Sequence, residues 1–165
     1  MDLKQLYQDI ILEHGKSPRN LGKCEGYSHE AKGYNPLCGD KVHVYLKLDN
    51  GKKVENLTFE GEGCAISLAS ASIMTELVKG KSFKDTKEIM NDFLNMIKNT
   101  SEIKSNYLNE DQKTKIMSLS GVKQFPMRVK CATLSWHTLN SAMEDKKEEV
   151  NTEIIDWWAI LKVKL

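Results

Sequence analysis

A strand-like alternation of apolar and polar residues beginning after Cys38 is the feature that most restricts the fold. The apolar positions are Val42, Val44, Leu46 and Leu48. A two-residue period is typical of a strand with one buried face. The turn sequence Asp-Asn-Gly at 49–51 then predicts a hairpin. The second strand of this hairpin is expected to contain Val54, Leu57 and Phe59.

Helical periodicity is found on both sides of the hairpin. Apolar residues recur at helical spacing over about residues 2 to 14, and Gly15 with Pro18 is expected to end that helix. The run after Cys64 is rich in small residues and ends at Gly80. It therefore predicts a tightly packed helix with Cys64 at its N-terminus.

Three further helices are predicted toward the C-terminus. Asp85 and Glu88 have capping-box spacing ahead of an apolar helical stripe. A weaker helical stretch covers about 109 to 119, and Pro126 opens the last main helix. The buried stripe of that last helix is predicted to consist of Cys131, Leu134, Leu139, Ala142 and Met143.

Length and composition favour one compact domain. The chain has 165 residues, of which 40% are apolar, and this is enough to bury one sizeable core. Its 24 Lys and Arg against 23 Asp and Glu leave a net charge of +1, so no overall field would attract nucleic acid or an anionic membrane. The N-terminus has no apolar core of signal-peptide length. These features predict a cytoplasmic protein that binds neither nucleic acid nor membranes.

The cysteines are the main candidates for chemistry, because a reducing cytoplasm favours ligands, nucleophiles or core residues over disulfides. Cys38 and Asp40 lie two residues apart at the start of the first predicted strand, so their side chains are expected on one face. At its helix N-terminus, Cys64 is favoured as a thiolate. Together with Cys131 these residues offer three sulfurs and one oxygen, which suit tetrahedral zinc, with iron chemically close. Spacing alone leaves three inert buried cysteines as an equal alternative.

Four segments carry a family resemblance: LYQDIILEHGKSPRN (6–20), NPLCGDKVHVYLKL (35–48), FEGEGCAISLASASIMTELVKGK (59–81) and GVKQFPMRVKCATLSW (121–136). Together they resemble the SufU branch of the U-type (NifU N-terminal, IscU-like) iron–sulfur cluster assembly family. The resemblance implies a SufE/NifU-like α+β fold, with a small three-stranded antiparallel sheet packed by about five to six helices. It implies an assembly domain at 1–145 and leaves 146–165 as a C-terminal extension of unknown role. The metal ligands that it implies are Cys38, Asp40, Cys64 and Cys131.

The resemblance also implies a reaction. It predicts a zinc-dependent sulfurtransferase that accepts persulfide sulfur from a pyridoxal-phosphate-dependent cysteine desulfurase of the SufS type and works with other cluster assembly proteins. Cys38 would attack as a thiolate, and by family analogy a histidine of the desulfurase would take its place on the metal. Arg128, one helical turn before Cys131, is a candidate to stabilise the anionic sulfur. A solvated arginine at a helix start explains Arg128 equally well.

Two alternative functions use the same residues. A scaffold would assemble a labile [2Fe-2S] cluster there and pass it to apo-proteins, whereas a structural zinc module would keep the site closed and Cys38 unreactive. Lys130 stands where the well-known IscU-branch scaffolds have a histidine, and the segment between Gly80 and Gly121 is longer than theirs. Both differences favour sulfur transfer over direct cluster assembly.

Other chemically notable residues have simpler interpretations. Cys24 is interpreted as a spare thiol in a polar loop, His14 as a structural residue near the end of the first helix, and His137 as a surface or capping residue. The adjacent Trp157 and Trp158 are expected either to pack as an extra element or to dock onto a partner.

Overall fold

A computed structural model describes residues 2–98, 103–104 and 106–153, so the predictions for Trp157 and Trp158 lie outside the described residues. The described elements, in chain order, are α1 (Leu3–Lys16), β1 (His29–Asn35), β2 (Asp40–Leu48), β3 (Val54–Glu62), α2 (Ala65–Val78), α3 (Phe83–Lys98), α4 (Glu110–Met117), a 3-10 helix (Ser120–Gln124), α5 (Pro126–Met143) and β4 (Val150–Asn151). Helices and strands are therefore combined in an α+β fold, as expected. No helix among these residues is long and apolar enough to cross a membrane.

The predicted hairpin is confirmed. Strands β2 and β3 pair antiparallel, with Leu46 opposite Leu57 and Val44 opposite Phe59. These four side chains are fully buried on the face of the sheet that carries the hydrophobic core. The alternation in the sequence therefore identifies the buried face correctly.

Strand β1 has no apolar alternation because its inward positions are small or polar. Its buried residues are Ala31, Gly33 and Asn35, and the strand pairs antiparallel with β2. A Cβ atom on Gly33 would lie 2.1 Å from Thr138 Oγ1 of α5. The close approach of α5 thus requires a small residue at this point. Without a large apolar side chain here, β1 lacks the apolar–polar alternation by which a strand is recognised in a sequence.

The strand count differs from the expected three. The sheet has the order β3-β2-β1-β4, and the two-residue strand β4 pairs parallel with β1, so the sheet is mixed and four-stranded. Two residues are too few to produce a periodic signal, and the free edge of β1 supplies the pairing groups. Residues Val150–Asn151 of segment 146–165 consequently join the sheet, while the division of the chain at residue 145 stays a prediction.

Two predicted helix boundaries were wrong. Helix α3 begins at Phe83, and Ser82 caps it, because the Asp85 backbone N–H donates to Ser82 Oγ at 3.0 Å. Helix α1 continues through Gly15 to Lys16. A Cβ on Gly15 would lie 2.9 Å from the Ala65 carbonyl oxygen, so this glycine serves the close packing of α1 on α2 and does not end the helix.

Helix α5 is buried on all sides from Cys131 to Met143, and not along one stripe. It packs against the sheet on one side and against α2 and α3 on others. Trp136 stacks on Phe93 with ring centroids 4.3 Å apart, and its indole N–H donates to Ser70 Oγ at 2.9 Å. The expectation of a surface position for His137 was wrong: it is 1% exposed, and burial lowers its pKa to about 4.

Candidate metal centre

Cys38 lies in the turn between β1 and β2, and not in the strand itself. The turn is closed by a hydrogen bond from the Gly39 backbone N–H to the Asn35 carbonyl oxygen at 2.8 Å. Gly39 has φ +73°, a left-handed conformation that glycine adopts without strain. Strand parity was therefore the wrong reason for placing Cys38 beside Asp40, because the tight turn is what brings them together.

Three of the predicted ligands meet at the end of the sheet. The sulfurs of Cys38 and Cys131 and a carboxylate oxygen of Asp40 all lie within 4.8 Å of one another. Tetrahedral zinc places its sulfur ligands about 3.8 Å apart. Small side-chain movements would therefore bring these three groups to one ion.

Cys64 reaches the same cluster through Cys131. As predicted, it lies at the N-terminus of α2, where its sulfur accepts a hydrogen bond from the Ser67 backbone N–H at 3.4 Å. Its Sγ lies outside the group within 4.8 Å, but its titration is linked to that of Cys131. The interaction with Cys131 lowers the pKa of Cys64 to about 6 and raises the pKa of Cys131.

Asp40 is fully buried, and both of its carboxylate oxygens accept hydrogen bonds. Oδ1 accepts from the Cys64 backbone N–H at 3.0 Å, and Oδ2 accepts from Asn35 Nδ2 at 2.9 Å. A Cβ on Gly63 would lie 2.3 Å from Oδ1. The carboxylate therefore occupies space that only a glycine at position 63 leaves open.

Two basic residues, Arg128 and Lys130, lie close to Cys131 in the first turns of α5. Arg128 is exposed, and its pKa is raised by a hydrogen bond to Cys131 and by the charges of Cys64, Cys131 and Cys38. Lys130, which replaces the histidine of the IscU branch, is engaged elsewhere, because its Nζ lies 2.6 Å from a carboxylate oxygen of Glu153.

The donor set suits a thiolate-binding cation. Three thiols and one buried carboxylate are gathered from three parts of the chain. If these groups all ionised together, their negative charges would repel one another strongly at this separation. A divalent cation among these groups would offset half of that charge. Zinc and iron both accept this combination of sulfur and oxygen ligands.

The other notable residues lie away from the cluster. Cys24 is buried, and its sulfur accepts from Asn56 Nδ2 at 3.4 Å. His14 Nδ1 lies 2.8 Å from Ser72 Oγ, which joins α1 to α2 and agrees with a structural role. The supporting residues Asn35, Gly63 and Thr152 were not identified from the sequence. Only Gly63 carried a local signal, since it directly precedes Cys64.

The structure combines an α+β fold with a cluster of cysteine thiols, which lies where a turn, a strand and helices meet. These features define a class of proteins that bind metal or sulfur through cysteines. Residues 6–151 match the family described as the NifU-like N terminal domain, and the chain belongs to that family. The resemblance seen in the sequence is thereby confirmed.

Similar proteins agree with this assignment. The chain is 41% identical over 148 residues to the zinc-dependent sulfurtransferase SufU of Bacillus subtilis, covering 90% of this chain and 95% of that protein. It is 34% identical over 142 residues to the scaffold protein IscU of Streptococcus pyogenes, covering 86% and 85%. The crystal structure of the SUF-system protein FiSufU of Fervidobacterium islandicum has a TM-score of 0.74 at 37% identity, covering 84% of this chain and 97% of that one. The chain is thus an iron–sulfur cluster assembly protein.

Proposed function

We propose that this protein is a zinc-dependent sulfurtransferase that takes persulfide sulfur from a SufS-type cysteine desulfurase onto Cys38. One observation carries the proposal: the partly exposed Cys38 lies within 4.8 Å of the buried groups of Asp40 and Cys131. A sulfur at the edge of a buried ligand set can both hold a metal and meet an external donor. All four cysteines are free thiols, which supports a reducing cytoplasm as its location.

The four predicted ligands have distinct roles in this proposal. The buried Asp40 and Cys131 and the partly exposed Cys64 would hold zinc, and Cys38 would complete the site from the turn. When bound, zinc keeps thiols deprotonated at neutral pH. Cys38 Sγ attacks the terminal sulfur of the donor persulfide, the donor's S–S bond breaks, and the donor cysteine leaves as a thiolate. Cys38 then carries the sulfur as a neutral persulfide, –S–SH, and the negative charge of its thiolate has moved to the donor cysteine.

Arg128 is proposed to balance charge at this step. Its raised pKa reflects the nearby thiols of Cys131, Cys64 and Cys38, so a positive charge lies close to the anionic sulfur of Cys38 before it attacks. Its exposure leaves the guanidinium open to the donor as well.

The surface around Cys38 suits a protein donor. Leu37, Phe125 and Met127 are 51%, 60% and 56% exposed, although each is large and apolar. Two of these side chains, Phe125 and Met127, line an apolar cavity of about 500 Å³ together with Arg128 and Ile66 among others. Exposed apolar groups next to a reactive site mark docking surfaces. A desulfurase seated there would bring its persulfide toward Cys38.

A scaffold for a labile [2Fe-2S] cluster is the second candidate function. Its support is the 34% identity to IscU of Streptococcus pyogenes, together with a donor set that also binds iron. Against it stands Lys130, whose ammonium pairs with Glu153 and offers no imidazole ligand. The partial exposure of Cys38 argues against a closed, purely structural zinc module.

Sulfur transfer to the Cys38→Ala variant tests the proposal. We expect colourless, zinc-containing wild-type protein that accepts labelled sulfur from a SufS-type desulfurase and stimulates it. Cys38→Ala should accept none, because the attacking sulfur is gone, while its circular dichroism spectrum stays native. Cys24→Ala removes a thiol outside the cluster and is the matched control, with transfer unchanged. Full transfer to Cys38→Ala would contradict the proposal, and brown, iron-loaded protein that fails to stimulate would favour the scaffold.

A further inference from the structure

The side-chain amide of Asn35 lies behind the metal centre and contacts two of its ligands. Asn35 is fully buried in the last position of β1. Its Nδ2 donates to Asp40 Oδ2 at 2.9 Å and lies 3.6 Å from Cys131 Sγ. These two ligands come from separate elements, β2 and α5. One amide group therefore joins the strand side of the cluster to its helix side.

The orientation of this amide is determined by its neighbours. An ionised carboxylate only accepts hydrogen bonds, so the NH₂ group of Asn35 must face Asp40. The amide oxygen then points the other way, and it accepts from Thr152 Oγ1 at 2.9 Å. Thr152 is 1% exposed and donates from its hydroxyl. This donor would be lost if the amide rotated by half a turn.

Thr152 is itself held by the C-terminal strand. It directly follows β4, and its backbone N–H donates to the Tyr34 carbonyl oxygen at 3.1 Å. The next residue, Glu153, pairs with Lys130, the neighbour of Cys131. Residues 150–153 are thus anchored both to β1 and to the helix that carries a ligand.

We infer that Asn35 is a positioning residue for the metal centre and that Thr152 sets the orientation of its amide. The C-terminal strand is then part of the site, although it supplies no ligand. Hydrogen bonds of this kind hold ligands in the geometry that a metal requires, and their loss weakens metal binding by about 10–100-fold. The inference rests on the proposed zinc binding at Asp40 and Cys131.

Zinc release from full-length variants tests this inference. A chromogenic chelator in excess reports the release rate from wild type, Asn35→Ala, Thr152→Val and the double variant. Thr86→Val is the matched control, because Thr86 is also fully buried and its hydroxyl donates within its own helix, to the Ser82 carbonyl oxygen at 2.8 Å. The melting temperature of each metal-free variant separates a general loss of stability from an effect on the centre.

We expect release to be about tenfold faster or more from Asn35→Ala, and several-fold faster from Thr152→Val. The double variant should match Asn35→Ala within about twofold, because Thr152 acts through Asn35. Thr86→Val should lower the metal-free melting temperature about as much as Thr152→Val and leave release unchanged. The inference would be overturned if Thr152→Val and Thr86→Val released zinc at the same rate. It would also be overturned if the rate increase in the double variant were the product of the two single increases, and in both cases zinc binding itself would stand. Wild-type protein that takes up no zinc would overturn the proposed function together with this inference.

Discussion

At the scale of single residues, the geometry of the site depends on the residues that contact each predicted ligand. The identity of the thiols and the carboxylate is evident in the sequence, but the backbone N–H of Cys64 and the amide of Asn35 hold the carboxylate of Asp40 in place. Gly63 contributes by having no side chain, since its missing Cβ leaves room for the carboxylate. A residue without any functional group is therefore part of the centre.

Gly63→Ala is expected to damage the centre and the fold together. The new Cβ would lie 2.3 Å from Asp40 Oδ1, so the buried carboxylate must move. Overpacking of this kind costs about 1–3 kcal/mol. We expect reduced zinc content by elemental analysis and a lower free energy of unfolding in urea. Gly121→Ala is the control, because a Cβ there meets nothing within 4 Å. Full zinc content and unchanged stability in Gly63→Ala would show that the carboxylate is not confined by position 63.

At the scale of elements, the close packing of α5 explains why strand β1 and the burial of this helix were not evident from the sequence. Small residues on β1, such as Gly33, allow this helix to approach the sheet. The helix is enclosed along most of its length and carries buried polar side chains as well as apolar ones. A stripe pattern arises only when one face of a helix meets water. Enclosure of α5 therefore brings Cys131 into the site and also buries His137.

His137 should make the protein sensitive to acid. Its pKa is lowered to about 4 by burial, while an exposed histidine has a pKa of about 6.5. Between pH 6.5 and 4 the unfolded chain binds a proton that the folded chain refuses, so the stability present above pH 6.5 is lost as the pH falls. The loss is up to about 1.4 kcal/mol per pH unit.

Urea unfolding of metal-free protein across this pH range measures the effect, because the absence of metal avoids the pH dependence of metal binding. We expect His137→Gln to show a shallower fall in the free energy of unfolding with acid than the wild type. Thr138→Val, on the same buried helix, removes no titrating group and should keep the wild-type slope. An unchanged slope in His137→Gln would mean that this histidine does not couple folding to protons.

At the scale of the whole molecule, the centre lies where β1, β2, α2 and α5 end, and exposed apolar side chains surround it. Leu37 comes from the turn before β2, whereas Phe125 and Met127 come from the start of α5. The elements that carry the predicted ligands therefore also supply the adjoining surface. A partner that binds this surface would meet the exposed edge of the sulfur cluster.

Truncation of this surface should impair sulfur transfer without affecting the centre. We expect Phe125→Ala combined with Met127→Ala to raise the desulfurase concentration for half-maximal transfer by about tenfold, since buried apolar anchors dominate interface affinity. Zinc content and melting temperature should match wild type. Leu12→Ala removes another exposed apolar side chain, 61% exposed on α1, and is the control. Unchanged transfer by the double variant would place the docking surface elsewhere.

The sequence alone predicted the β2–β3 hairpin, the place of Cys64 at a helix N-terminus and the ligand candidates, and the family resemblance implied the α+β class. The first three depend on side-chain periodicity and on residue type, which are local properties. Its boundaries for α1 and α3 were wrong, because Gly15 and Ser82 have roles that depend on what packs beside them.

Only the tertiary structure decided how the cluster is assembled. Asn35 and Cys131 lie 96 residues apart, and Thr152 lies 117 residues from Asn35, yet their side chains touch behind the centre. The addition of β4 to the sheet and the burial of α5 on all sides from Cys131 to Met143 were also evident only from the tertiary structure. A local pattern records which face of an element is buried, but contacts between distant elements depend on how closely those faces pack, and no short stretch of sequence contains that information.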